Sequence, residues 1–191
     1  MLERSEVERS LTGAWALFLD RGDALQWFDF SVDGFWRSFR AIILVIPAYF
    51  AFVVAEPIMA TAVTDEAPSP NLAAGAVALV LEWIALPIVL AVIAGQLGIA
   101  ARYGAFIVAR NWASVVAIAP TGVVAVLLLL GLIGPVATNF LMFIILLVML
   151  RYSYIVARRT LEIGPGFAVG IVALDVGLSL TISSGIDLLF G

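Results

Sequence analysis

From Ala41 onward the chain alternates long apolar runs with short polar or turn-forming stretches. A run of ~20 apolar residues is the length that crosses a bilayer as a helix. The pattern predicts five such helices, with apolar runs over about 41–55, 72–99, 112–133, 136–156 and 166–190. Ser31 is placed to N-cap the first, with Asp33 near the positive end of its dipole. Glu56-Pro57 is expected to mark the far end of that helix, because a residue before proline avoids helical torsions. An acidic, proline-rich turn over 65–70 and a tight Gly134-Pro135 turn punctuate the later runs. Ahead of them, Val7, Leu11, Ala14/Trp15 and Phe18 recur at helical spacing with charges opposite, which predicts an amphipathic helix over residues 1–20. The stretch 21–40 is dense in rings: Trp27, Phe28, Phe30, Phe35, Trp36 and Phe39. Such rings favour the headgroup layer, or else pack on the bundle as a lid. The fold class expected is all-α, an integral membrane bundle of five transmembrane helices over 41–191. A cytoplasmic, interfacial amphipathic and aromatic segment over 1–40 precedes it.

Charge sets the direction of threading. Two stretches between apolar runs hold arginines: Ala101–Trp112, with Arg102 and Arg110, and Leu150–Arg159, with Arg151, Arg158 and Arg159. Basic joints between spans read as cytoplasmic turns. The remaining arginines, Arg4, Arg9, Arg21, Arg37 and Arg40, all precede the first apolar run, and the other loops have none. Arg102, Arg110, Arg151, Arg158 and Arg159 are therefore the cytoplasmic topology determinants, and the chain is expected N-terminus in, C-terminus out. The acidic start, with Glu3, Glu6 and Glu8, is unlike a secretory signal.

Composition narrows the function. With 63% apolar and only 13% charged residues, the usage is that of a polytopic membrane protein and leaves no room for a soluble domain. No cysteine is present, so disulfides and thiolate chemistry are absent. No histidine is present either, which removes the commonest general base and transition-metal ligand. All ten basic residues are arginine, a usage that points to a G+C-rich bacterial genome. A net charge of −4 argues against nucleic-acid binding. A serine nucleophile would lack both a histidine and a lysine base, and Gly185-Ile-Asp187 lacks the second glycine of a membrane aspartic protease stretch. No phosphate loop or metal-ligand cluster is spelled out, so no enzyme activity and no cofactor is expected.

Intramembrane polarity remains. Glu82 and Asp175 both fall near mid-bilayer, where a carboxylate costs ~2.5–3.5 kcal/mol and points to a function by default. Gly75, Ala78, Glu82 and Ala85 share one helical stripe, and Pro87 frees the Trp83 carbonyl as an acceptor beside Glu82. No arginine is expected at that depth, Arg151 being the nearest candidate. Glu82 is then either a proton- or cation-responsive site or a protonated group serving as polar glue. On the fifth helix Asp175 and Ser179 lie opposite a small-residue, helix-packing face of Gly166, Gly170, Gly177, Thr181 and Ser184. One face would serve the bundle, and the other would meet a second copy or another subunit. Glu82, Asp175 and Ser179 form the candidate intramembrane polar site. The phrases Phe106-Ile-Val-Ala-Arg110 and Tyr154-Ile-Val-Ala-Arg158 match at an offset of 48 and raise an internal duplication as one explanation.

Five spans, an aromatic-rich N-terminal segment, short joints and an external C-terminus resemble the architecture of Yip1-type membrane proteins. The phrases Phe28-Asp-Phe-Ser-Val-Asp-Gly-Phe-Trp-Arg-Ser-Phe39 and Ala109-Arg-Asn-Trp112 are similar to those of small polytopic membrane proteins of alphaproteobacteria. The resemblance carries over no functional residue. The expected protein is a multi-pass component of the bacterial inner membrane, whose partners are the lipid bilayer and a second copy or another membrane protein. It is read as a non-catalytic scaffold or accessory subunit acting through helix contacts. The alternative is a small proton- or cation-coupled transporter or channel centred on Glu82, with Pro47, Pro87 and Pro120 loosening three helices.

Overall fold

A computed structural model describes residues 4–63 and 69–190. Among them every regular element is helical: α1 (Arg4–Phe18), α2 (Val32–Ser38), α3 (Ile42–Ala60), α4 (Leu72–Ile93), α5 (Ala100–Leu129), α6 (Pro135–Leu161) and α7 (Pro165–Phe190). Short 3-10 turns at Ala24–Trp27 and Phe39–Ala41 join the first three. Five helical segments are long and apolar enough to cross a membrane, the first running unbroken from Val32 to Ala60 through α2, the 3-10 turn and α3. The expected all-α membrane bundle, preceded by a short N-terminal helix, is therefore the fold. Most of the acidic turn expected at 65–70 lies outside the described residues.

The helices do not end where hydropathy falls. Ser31 caps α2 as expected, its hydroxyl accepting from the Gly34 N–H at 3.0 Å. The boundary expected between 40 and 41, however, falls inside a continuous helical rod. Glu56-Pro57 does not stop α3, which continues to Ala60. Proline removes one helical donor, and in a membrane helix neighbouring groups absorb the loss. The two basic joints are corrected most. Ala101–Trp112 is the first third of α5 and Leu150–Arg159 is the last third of α6, while the turns lie at 94–99 and 162–164. Arginine, alanine and leucine are good helix formers, so a basic stretch changes solvent preference without breaking a helix. The true stops are caps. Gly131, at φ +70°, ends α5 in a Schellman turn, with Leu132 N–H donating to the Leu127 carbonyl and Gly131 N–H to that of Leu128.

Alternation of direction gathers the starts of α3, α5 and α7 with the ends of α4 and α6. The described arginines cluster at this end of the bundle, with Arg110 about three turns into α5. Two acidic residues here adopt the left-handed conformation, Asp20 at φ 56° and Glu162 at φ 54°. Each is tied by an arginine of another element. Arg159 of α6 reaches Asp20 at 2.8 Å, and Arg102 of α5 reaches Glu162 at 2.6 Å. The bond from Arg159 holds the Asp20 carboxyl below the usual aspartate range.

The core gathers on α5, which packs along α3 and α6 and receives α1 and α2 on its first half. Its close approach to α3 depends on Gly122: a Cβ there would lie 2.5 Å from the Ala48 Cβ. Trp112, Ile107 and Ala125 are fully enclosed or nearly so. The Asn111 amide donates to the Ser38 hydroxyl at 3.0 Å in this interior. The N-terminal helix is docked on protein as well as amphipathic. Ser10, Ala14 and Leu17 face α5 and α6, and the Tyr152 hydroxyl donates to the Ala14 carbonyl at 2.6 Å. Val7, Leu11 and Phe18 pack at the edges of that contact, whereas Trp15 is 54% exposed. The aromatic stretch divides the same way: Phe28, Phe35 and Phe39 join the core, and Phe30 and Trp36 remain exposed.

Candidate functional site

Three helices bring charge together inside the bundle. Glu82 is ten residues into α4, Arg110 ten residues into α5 and Asp175 ten residues into α7. At the helical rise, Arg110 and Asp175 each lie ~15 Å from helix starts at the arginine-rich end. Their equal depth lets them meet, and the Arg110 guanidinium donates to Asp175 Oδ1 at 3.1 Å. One helical turn further along α7, the Ser179 hydroxyl donates to Glu82 Oε1 at 3.0 Å. Both bonds open onto one groove of about 250 Å³ between α4 and α7, floored by Arg110 and walled by Ala85, Leu86 and Ile182. A second cavity of about 80 Å³ continues from Arg110 and Asp175 toward Ser114 and Ser153.

The structure thus unites the three expected site residues, Glu82, Asp175 and Ser179, and adds Arg110. The expectation that no arginine reaches this depth is corrected. Arg110 is an intrahelical residue with a buried stem, its side chain only 17% exposed, and not a joint residue. Its flanking Phe106, Ile107, Val108 and Ala109 are all buried. A sequence clue existed in that Phe-Ile-Val-Ala run, which is too apolar for a wet turn. Glu82 bonds Ser179 instead of the Trp83 carbonyl, and beyond it the Tyr103 hydroxyl donates to the Pro87 carbonyl. The small-residue stripe of α4 serves two neighbours. Gly75 packs on Val53 of α3, and Glu82 with Ala85 faces α7.

The chemistry is that of an odd carboxylate. Two carboxylates and one guanidinium leave one negative charge when all are ionised, and one proton or monovalent cation neutralises it. Arg110 is bonded to Asp175, and among the described residues Glu82 has a hydroxyl as its hydrogen-bond donor, with Arg110 acting on it from further away. Charge left over away from bulk water is costly, and a proton or cation offsets it.

The other side of α7 is bare. A Cβ added at Gly166, Gly170 or Gly177 would meet nothing within 4 Å, and Thr181 and Ser184 are exposed. Among the described residues the face expected to pack helices therefore meets no other helix, and the polar side carrying Asp175 turns inward instead. The reason is that α7 buries few apolar side chains, Ala168, Ile171 and Ile186, and its polar bonds decide which side is held. The duplication is not supported by the helices. The phrase at 106–110 follows its turn on α5, whereas the one at 154–158 precedes its turn on α6. The two helices run in opposite directions, so the shared phrase does not occupy matching places in two parallel hairpins. Comparison with family models, with curated proteins and with solved structures returns no match to this chain.

Proposed function

We propose that this chain is a non-catalytic scaffold or accessory subunit of a bacterial inner membrane that works through helix contacts. The observation that carries it is the two-sidedness of α7. Polar bonds hold one side to the bundle, and the opposite side presents Gly166, Gly170, Gly177, Thr181 and Ser184 to the surroundings. Small residues allow close backbone approach, which drives association where lipid offers no hydrophobic gradient. In this reading the arginine-rich end faces the cytoplasm, with the N-terminus inside and the C-terminus outside. Because the chain has no cysteine, single cysteines report cleanly. Thr181→Cys and Ser184→Cys, oxidised in native membranes, should form a disulfide-linked dimer or an adduct with a second membrane protein. Val92→Cys, on an exposed face of α4, should form neither. Equal, low yields at all three positions would overturn the proposal.

A second reading is favoured by the odd carboxylate in the α4–α7 groove: a proton- or cation-coupled transporter or channel centred on Glu82. Purified protein in liposomes should then dissipate an imposed proton or sodium gradient, and Glu82→Gln should abolish this without loss of folding. Vesicles that hold both gradients as well as protein-free ones would remove this reading.

A further inference from the structure

From α1 toward the middle of the spans, an apolar groove of about 670 Å³ runs along α5 and α6. Trp15 and Phe18 of α1 overhang it, Val116 and Ala119 of α5 form one wall, and Ile145 and Val148 of α6 form the other. The two α1 rings stack at 5.1 Å, and Phe18 meets Tyr152 edge-on at 5.3 Å, which fixes the overhang against the bundle. Exposed apolar rings at the head of an apolar channel suit the boundary between headgroups and acyl chains.

The charge beside this groove is unbalanced. Of the arginines late in α6, Arg159 is paired with Asp20. Arg151 has only the Phe18 carbonyl at 3.3 Å, and Arg158 only the Tyr154 hydroxyl at 3.4 Å. Neither has a carboxylate within 4 Å among the described residues. The other acids nearby are engaged: Asp23 with Arg21, and Glu162 with Arg102. Residues 151 and 158 are seven apart and share one stripe of α6, and that stripe continues through Val148 to Ile144 along the groove. Asp20, bonded to Arg159, also lends its field to Arg151 and Arg158, so three guanidinium groups share one carboxylate. Arg151 and Arg158 stand in line above an apolar channel, a match for a phosphate above a hydrocarbon tail.

We propose that this groove is a binding site for an anionic phospholipid, one acyl chain lying between α1, α5 and α6 and the headgroup phosphate held by Arg151 and Arg158. The site lies apart from the α4–α7 groove and depends on neither functional reading. The test is lipid retention by the purified full chain in native mass spectrometry, with phosphatidylglycerol and phosphatidylcholine of matched chains as probes. Wild type should retain phosphatidylglycerol preferentially. Arg151→Gln with Arg158→Gln should lower that retention roughly 30-fold, about five-fold from each arginine, and leave phosphatidylcholine unchanged. Lysine at both positions should restore most of it, which separates charge from folding. Ala119→Phe, filling the groove from an exposed position, should weaken both lipids, whereas Arg102→Gln should change neither. Glycerol 3-phosphate should not compete, because it has no tail. Equal retention of the two lipids by wild type, or undiminished phosphatidylglycerol on the double glutamine variant, would overturn the proposal. So would full competition by glycerol 3-phosphate.

Discussion

The helices α5 and α7 are of similar length and both cross the bundle, yet they are held by different forces. α5 is held by shape. Gly122 admits the α3 backbone, and Ile107, Trp112 and Ala125 fill the space between neighbours. α7 is held at its middle by Arg110–Asp175 and Ser179–Glu82, with little enclosed apolar surface. Within lipid, moving an apolar side chain from tails to protein gains little, so close packing and polar bonds must supply the attachment. The first mode makes a rigid centre. The second makes an edge helix whose outer side is free for another contact.

The largest expected effect breaks the α5 mode. Gly122→Leu must push α3 and α5 apart and should lower stability in detergent by about 3 kcal/mol, while Gly170→Leu on α7 should cost the isolated, unassociated chain nothing. The α7 variant should even gain up to about 1 kcal/mol in helix propensity. Thermal unfolding followed by helical circular dichroism measures both. If the two variants lose stability equally, the contrast between the helices is wrong.

Next in size is the α7 attachment. Arg110→Met leaves Asp175 without its partner and should cost about 2 kcal/mol. That is less than the roughly 3–5 kcal/mol of a fully enclosed pair, because Asp175 is 34% exposed. Asp175→Leu added to Arg110→Met should recover most of the loss, and a double-mutant cycle reads the coupling. Additive losses in the cycle would mean that the pair does not hold α7.

The smallest effect sharpens the comparison by setting a carboxylate ahead of the spans beside the one on α7. Asp29 accepts from the Ser31 N–H at 3.0 Å and from Arg37 at 2.6 Å. The Ser31 N–H chiefly, then the Ser31 side chain, and Arg37 after both, hold its carboxyl below the ordinary 3.8. A depressed folded-state value means that the stabilisation is complete above 3.8 and is lost as pH falls through the folded value. Hydrogen exchange at residues 28–34 should therefore accelerate as pH drops below 3.8, after correction for the intrinsic rate. Asp29→Asn should exchange with no such step. Parallel steps in both proteins would place the acid sensitivity elsewhere.

Much of this architecture was written locally. Apolar runs of membrane length yielded five spans because a helix that satisfies its own backbone bonds is the only unclosed solution in lipid. The Ser31 cap and the one-ended distribution of arginine were legible for the same reason, since each depends on near neighbours or on solvent preference. Helix ends were less so. Hydropathy marks where water begins, whereas α5 already starts at Ala100, before its apolar run, and α6 continues past its own to stop at Glu162.

The candidate site was half legible. Glu82, Asp175 and Ser179 stood out as polar residues in apolar runs, because burying each is costly whatever its neighbours. Arg110 did not, because its meaning depends on α5 extending ten residues before it and on α7 bringing Asp175 to equal depth. The two faces of α7 were visible as a pattern, but which one faced the bundle was decided by pairing with α4 and α5. Periodicity states that a helix has two sides, and only the partners available in three dimensions determine which side is the more stable inside.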